Sequence, residues 1–306
     1  LLRHRQRVDI RPDGQAFSSA LSAISGSLGT VIPPSITFII YGMITGESIG
    51  DLFLSGIIPG LIFGFMLCIM VFIKSKKNGW KGETQRASLK EIGRLFLDTI
   101  WGLLSPVIVL GGIYSGLFTP TEAAAVAVVY SLIVGIFIYK ELRLAELKET
   151  LFSTAKTTGM ILLIIMNAGI FSWVLTQQGI AASLTEMALA LTDNKYIMLV
   201  IINIVFLCAG CVMDNTSALY ILVPIIMPIA KALDINMIQL GVILVLNLSI
   251  GQVTPPVGPN LYVAADIGKV KFEEICRKMV PLLLMSLLAL LCITYIPALS
   301  LCLIPS

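Results

Sequence analysis

The chain has 306 residues, 57% of them hydrophobic and 13% charged, with a net charge of +3 and a mean hydropathy of +0.94. A soluble domain carries about 25% charged residues. Composition therefore excludes a soluble globular domain, a disordered chain and a secreted disulfide scaffold, and leaves an integral membrane protein.

Uncharged runs follow one another along the chain: 14–46, 52–73, 99–121, 123–139, 157–185, 196–213, 215–230, 235–265 and 279–306. A hydrocarbon core of about 30 Å takes roughly 20 helical residues, and most runs reach that length. The period-2 alternation of barrel strands is largely missing, so the predicted class is an all-α integral membrane protein. Segment 84–97 has Leu89, Ile92, Leu95 and Phe96 on one face and Lys90, Glu91 and Arg94 on the other. That pattern predicts an interfacial amphipathic helix. Gly56, Gly60 and Gly64, and separately Gly112 and Gly116, recur at four-residue spacing, which predicts close packing of neighbouring helices. Thr119, Pro120 and Glu122 fit N-cap, N1 and N3 of a capping box opening helix 120–139. The six cysteines lie mostly in apolar runs and read as small core residues. Cys208 and Cys211 form a C-x-x-C, but the sole histidine, His4, is remote in sequence, so helix packing is the reading. No cleavable signal peptide is visible. The chain opens at Leu1 without an initiator Met and reads as part of a longer protein.

Basic residues set orientation, because Lys and Arg of short loops concentrate on the cytoplasmic side. Four clusters hold 19 of the 21: Arg3 to Arg11, Lys74 to Arg94, Lys140 to Lys156, and Lys269 to Lys278. All four share one side if 14–46 crosses outward once, 50–73 returns, 98–118 leaves, 120–139 returns and 151–177 leaves. Run 196–230 then starts and ends outside, 236–266 comes in and 279–302 goes out. Two full crossings or a re-entrant hairpin at 196–230 satisfy that parity equally.

One pattern goes further. Ser27-Leu-Gly29-Thr-Val31-Ile-Pro33-Pro34 recurs 222 residues later as Ser249-Ile-Gly251-Gln-Val253-Thr-Pro255-Pro256. Both copies sit mid-way along an uncharged run, and orientation makes one run outward and the other inward. That is the signature of an inverted-topology repeat with two discontinuous helices. Paired prolines remove two backbone donors and disfavour helix just before them. The frayed ends expose carbonyls and N–H groups, each costing several kcal/mol in hydrocarbon, so the breaks must be buried or face a wet cavity. Carbonyls suit Na⁺ and N–H ends suit an anion. Asp214, Asn215, Thr216 and Ser217 lie between two apolar arms. They are the tip of a re-entrant hairpin able to complete a cation site, or an ordinary cytoplasmic turn; an ionisable residue flanked by apolar runs is a functional candidate.

These residues resemble the large membrane subunit of TRAP (tripartite ATP-independent periplasmic) transporters. The likeness rests on Gly26 to Gly29, Ile32 to Ser35 and Tyr41-Gly42, on Gly116 to Ala125, on Asp214, Leu222, Pro224 and Pro228, and on Gly251 to Gly258. The resemblance implies an inverted-repeat, elevator-type transporter with a re-entrant hairpin at Asp214 to Ser217, in a bacterial or archaeal cytoplasmic membrane. It implies Na⁺-coupled uptake of an organic acid such as a C4-dicarboxylate or sialic acid. A periplasmic solute-binding protein would deliver the acid, and a small membrane subunit would brace this one. No other cofactor, no enzyme activity and no nucleic acid are implied. A corresponding first hairpin would precede Leu1.

The implied sodium sites use Ser25, Gly26, Ser27 and Gly29, and Asp214, Asn215, Thr216 and Ser217 with Gly251, Gln252 and Thr254. The substrate carboxylate would lie at Pro33, Pro34, Ser35, Pro255, Pro256, Val257 and Gly258. The expected organisation is 1–46 and 195–268 as transport elements, 47–83 as a scaffold helix and loop, 84–97 as the interfacial helix, 98–194 as scaffold and linker, and 269–306 as a last membrane helix. Other Na⁺- or H⁺-coupled dicarboxylate carriers, and an ion channel, are the alternatives. Against a channel, no charged ring or filter loop is present; against a primary pump, no phosphate-binding G-x-x-x-x-G-K-[ST] loop occurs.

Overall fold

A computed structural model describes residues 12–80 and 88–304. Arg3, Arg5, Arg7, Arg11, Lys81, Arg86 and the start of segment 84–97 lie outside the described residues. Among those described there is no strand, and seven helices are long and apolar enough to cross a membrane. The chain divides into two compact units, residues 1–74 with 172–306 and residues 75–171.

The first unit holds both sequence breaks. Run 14–46 forms α1 (Pro12–Leu28) and α2 (Ile36–Thr45), and run 235–265 forms α10 (Met237–Gly251) and α11 (Pro259–Gly268). Each break falls at the Gly…Pro-Pro pattern. The last turns tighten through i→i−3 bonds, Val31 N to Leu28 O and Val253 N to Ile250 O, before the prolines remove the donors that would continue the helix. Both Pro33-Pro34 and Pro255-Pro256 are cis. The chain restarts at Ser35, whose hydroxyl accepts from Phe38 N, and at Gly258, which has φ +47°.

Around these stand α3 (Ile49–Asn78), of which residues up to 74 belong to this unit, then α7 (Ile180–Leu191), α8 (Lys195–Val212), α9 (Asn215–Ala232), α12 (Phe272–Tyr295) and α13 (Ala298–Leu301). The glycine row of α3 faces the first break. A Cβ at Gly56 would lie 2.8 Å from Val31 O, one at Gly60 2.7 Å from Ile32, and one at Gly64 3.4 Å from Leu28. The spacing therefore packs within the protein, as the sequence implied. α8 lies along α10, and Gly210 fits against Gly251 with no room for a side chain on either. That close approach, with all six cysteines free, accounts for Cys208-Ala-Gly-Cys211 as packing.

The second unit contains α4 (Leu89–Tyr114), α5 (Pro120–Ile133) with a π-helical continuation over Val134–Ile138, and the first part of α6 (Leu144–Gln177). Two expectations change here. Residues 89–97 are not a separate interfacial helix but the opening turns of α4. Ser88 caps them by accepting from Glu91 N at 3.2 Å, and the helix runs on through Gly93 and Pro106 to Tyr114. Gly112 and Gly116 serve a turn instead of a neighbouring helix: Gly112 O accepts from Leu117 N and Phe118 N, and Gly116 has φ +72°. The capping box is present in full. Glu122 N donates to Thr119 Oγ1 at 3.3 Å, and Thr119 N donates to Glu122 Oε2 at 2.8 Å.

Candidate functional site at the paired helix breaks

The two breaks meet. Thr30 Oγ1, beyond the end of α1, is in hydrogen-bonding contact with Ser249 Oγ, near the end of α10. Ser27 Oγ, on α1, accepts from Asn260 Nδ2 at 3.0 Å, and the same amide donates to Gln252 Oε1 at 3.2 Å. The pattern is reciprocal. With the 222-residue offset, Thr30 matches Gln252 and Ser27 matches Ser249. Thr30 of the first copy thus bonds Ser249 of the second, and Gln252 of the second reaches Ser27 of the first through Asn260.

Orphaned backbone groups are satisfied across elements. Gly258 N donates to Cys211 O at 3.2 Å, and Asn260 N donates to Gln252 O at 3.2 Å. The end of α8 and the start of α11 thereby complete each other, which apolar surroundings demand. Gly258 is required here twice over, by its positive φ and because a Cβ would sit 3.0 Å from Thr254 O.

The remaining predicted residues fall in several environments. Ser25 and Gly26 are exposed, with Ser25 Oγ donating to Ser22 O at 3.2 Å. Gly29 is exposed and its N–H donates to Gly26 O. Pro33 and Ser35 are buried while Pro34 is exposed, and Ser35 Oγ donates to Thr30 O. Thr254 Oγ1 donates back to Ile250 O at 2.7 Å. Pro255 is half-buried, and Pro256 and Val257 are exposed.

Asp214 is the N-cap of α9. Its Oδ2 accepts from Thr216 N at 2.9 Å and Ser217 N at 3.1 Å, and its Oδ1 accepts from Ser217 Oγ at 2.6 Å. The carboxylate, Thr216 and Ser217 thus form one closed cap. Beside them Asn215 is buried, and its Oδ1 has no donor among the described residues. Such an oxygen is available to a cation or a water.

Sequence reasoning did not single out Asn260, nor Thr30 and Ser249 as partners. It also missed a buried chain in which Asn247 Nδ2 donates to Asn203 Oδ1 (2.8 Å), Asn203 Nδ2 to Thr294 Oγ1 (3.1 Å) and Gln239 Nε2 to Thr294 O (3.1 Å). Polar side chains inside uncharged runs were the available signal.

Comparison with known proteins decides the family. The profile of the tripartite ATP-independent periplasmic transporter, DctM component, matches residues 14–299. The chain belongs to this family. It is 42% identical over 289 residues to the C4-dicarboxylate TRAP transporter large permease protein DctM of Pseudomonas aeruginosa, covering 94% of this chain and 67% of that protein. It is 37% identical over 285 residues to the sialic acid TRAP transporter large permease protein SiaM of Vibrio cholerae, covering 93% and 66%. It is 40% identical over 282 residues to the isethionate TRAP transporter permease protein DctMQ of Oleidesulfovibrio alaskensis, covering 92% of this chain and 44% of that one. The chain thus spans between under half and two thirds of these relatives' lengths. A TRAP permease subunit is a membrane transport protein and not an enzyme.

Proposed function

We propose that this permease carries out sodium-coupled uptake of an organic acid by an elevator-type movement, in the cytoplasmic membrane of a bacterium or archaeon. A periplasmic binding protein hands over the acid, and a small membrane subunit supports the permease. The observation that carries the reading is the reciprocal bonding of Thr30 with Ser249 and of Ser27, through Asn260, with Gln252. It supports an inverted repeat whose two interrupted helices share one polar pocket. The names of the relatives, which specify C4-dicarboxylate, sialic acid and isethionate, support an organic anion as cargo.

Sodium would bind at two places: beside Ser25, Gly26, Ser27 and Gly29, and between Asp214, Asn215, Thr216 and Ser217 and Gly251, Gln252 and Thr254. Asn215 Oδ1 offers a buried oxygen without a donor, and the N-cap carboxylate of Asp214 adds negative charge. The acid would sit between, near Pro33 to Ser35 and Pro255 to Gly258. The N-terminal end of α11 has no side-chain cap, and its helix dipole favours a nearby anion. Bound sodium would order both breaks before the acid arrives, which is positive coupling between two ligands.

Support for a re-entrant tip comes from depth. α8 and α10 run side by side, and the end of α8 meets residues 251–258, with the ten-residue α11 still to follow. At 1.5 Å per residue, α11 adds about 15 Å before Lys269. The test is sodium-dependent uptake by the reconstituted complex carrying Thr254→Ala or Asp214→Asn, the latter retaining a capping acceptor. We expect a raised half-saturating sodium concentration in both; unchanged dependence in both removes the site assignment.

A further inference from the structure

We infer that Asn260 is the positioning residue through which the two proposed sodium sites sense one another, so that an ion bound at one break orders the other. The inference rests on the functional reading above and names the residue that couples its two ions.

Asn260 is fixed to the second break and reaches the first. It is the second residue of α11, behind Pro259. Its backbone N–H donates to Gln252 O and its Nδ2 donates to Gln252 Oε1, both at 3.2 Å. On the same short segment Gly258 N donates to Cys211 O at 3.2 Å, which ties it to the end of α8, just before Asp214. Asn260 Nδ2 also donates to Ser27 Oγ on α1, at 3.0 Å. Ser27 belongs to the first proposed sodium site and Gln252 to the second.

The geometry of an amide makes this bridge a relay. Both N–H bonds of a side-chain amide lie in one plane, so an acceptor that fixes one bond fixes the direction of the other. Ser27 is 1% exposed, and its hydroxyl donates to Ala23 O at 3.3 Å. Its oxygen accepts from Asn260 and keeps a lone pair for an ion. Gln252 Oε1 likewise accepts from Asn260 and keeps a lone pair. An ion that orders Ser27 therefore holds the Asn260 amide, and the amide holds the Gln252 carbonyl for a second ion. The conformational cost falls on the first binding step, so the second is tighter.

The other contact across the breaks lacks this property. Thr30 Oγ1 and Ser249 Oγ each have a main-chain acceptor of their own, Ser27 O at 2.8 Å and Val245 O at 2.6 Å. A hydroxyl turns about its C–O bond to suit its surroundings, and neither residue belongs to a proposed sodium site. That pair holds the breaks together without relaying an ion's presence.

The test is equilibrium binding of radiolabelled sodium to the complete purified permease complex. The variants are Asn260→Leu, which keeps the bulk, Asn260→Ala, which adds none, and Thr30→Val, which removes the other contact. Two sites coupled about tenfold give a Hill slope of about 1.5, and we expect that slope for the parent and for Thr30→Val. In both Asn260 variants the slope should fall to about 1, with the saturating amount of bound sodium unchanged.

A slope that stays above 1 in the Asn260 variants, with binding merely weakened, would make Asn260 a structural contact and overturn the inference. Loss of saturable binding in both would make it a ligand and overturn it equally. An equal fall in Thr30→Val would show that any contact across the breaks suffices, with the same consequence. Saturable binding of slope 1 in the parent would leave independent sites: the functional reading would stand and this inference would not. If the parent binds no sodium saturably, the functional reading itself fails, and this inference with it.

Discussion

α1 and α10 end in the same pattern and break in the same way, yet their flanks differ. α10 is buried at every position from Gln239 to Gly251. α1 exposes Ser18, Ser22, Ser25 and Gly26, and Gly29 just past its end is exposed as well. With the 222-residue offset these positions match Leu240, Leu244, Asn247, Leu248 and Gly251. At three of the five positions leucine on one copy corresponds to serine or glycine on the other. The shared motif fixes where the backbone breaks and which residues bond across, while the flanking residues follow what each helix lies against. For α10 that neighbour is α8, through Gly210 on Gly251 and Asn203 on Asn247. For α1 no described residue covers the matching face in the same way, and Ser18, Ser22, Ser25 and Gly26 are exposed.

This contrast can be broken by substitution. The largest difference is expected at the matched glycines. Gly251→Ala places a Cβ 2.6 Å from the Gly210 Cα, backbone against backbone, and should cost about 3 kcal/mol. At Gly29 the nearest atom is Gly26 O at 3.3 Å, and Gly29→Ala should cost under about 1 kcal/mol. Thermal unfolding of the solubilised chain compares them; equal losses would contradict the account of the flanks.

The next pair is Asn247→Ala and Ser25→Ala. The first leaves Asn203 Oδ1 without its buried donor and should destabilise by about 2 kcal/mol. The second removes an exposed hydroxyl and should change stability by less than about 0.5 kcal/mol. A smaller effect is expected where the copies agree. Thr30→Val and Ser249→Ala, combined in a double-mutant cycle, should show a coupling energy of about 1 kcal/mol. Additive losses would mean the hydroxyls do not sense one another.

Much of this was legible before the coordinates. The break positions follow from glycine and paired prolines, which act locally on φ and on donor supply. The capping box at Thr119 and Glu122 is likewise a three-residue rule, and it formed as the pattern demands. The glycine row of α3 announced close packing, although not that its partner would be the first break.

What stayed hidden depends on long-range approach. Asn260 lies 233 residues from Ser27, and Asn203 lies 91 from Thr294. No local periodicity reports which polar side chains will face each other. Segment 84–97 misled for the opposite reason: its amphipathic pattern is real, but a surface pattern does not end a helix, and α4 continues to Tyr114 through Gly93 and Pro106. Asp214 reads as a charge at the rim of a run, and the structure adds that its oxygens already cap α9.

The central claim is that the two breaks lie against one another, and cross-linking measures that directly. In a chain with its native cysteines replaced, Thr30→Cys with Ser249→Cys should form a disulfide on mild oxidation in the membrane. A protease site introduced within residues 81–87 would then leave the two fragments joined until reduction. Fragments that separate without reductant, while each single thiol remains accessible to small reagents, would place the breaks apart and contradict the account.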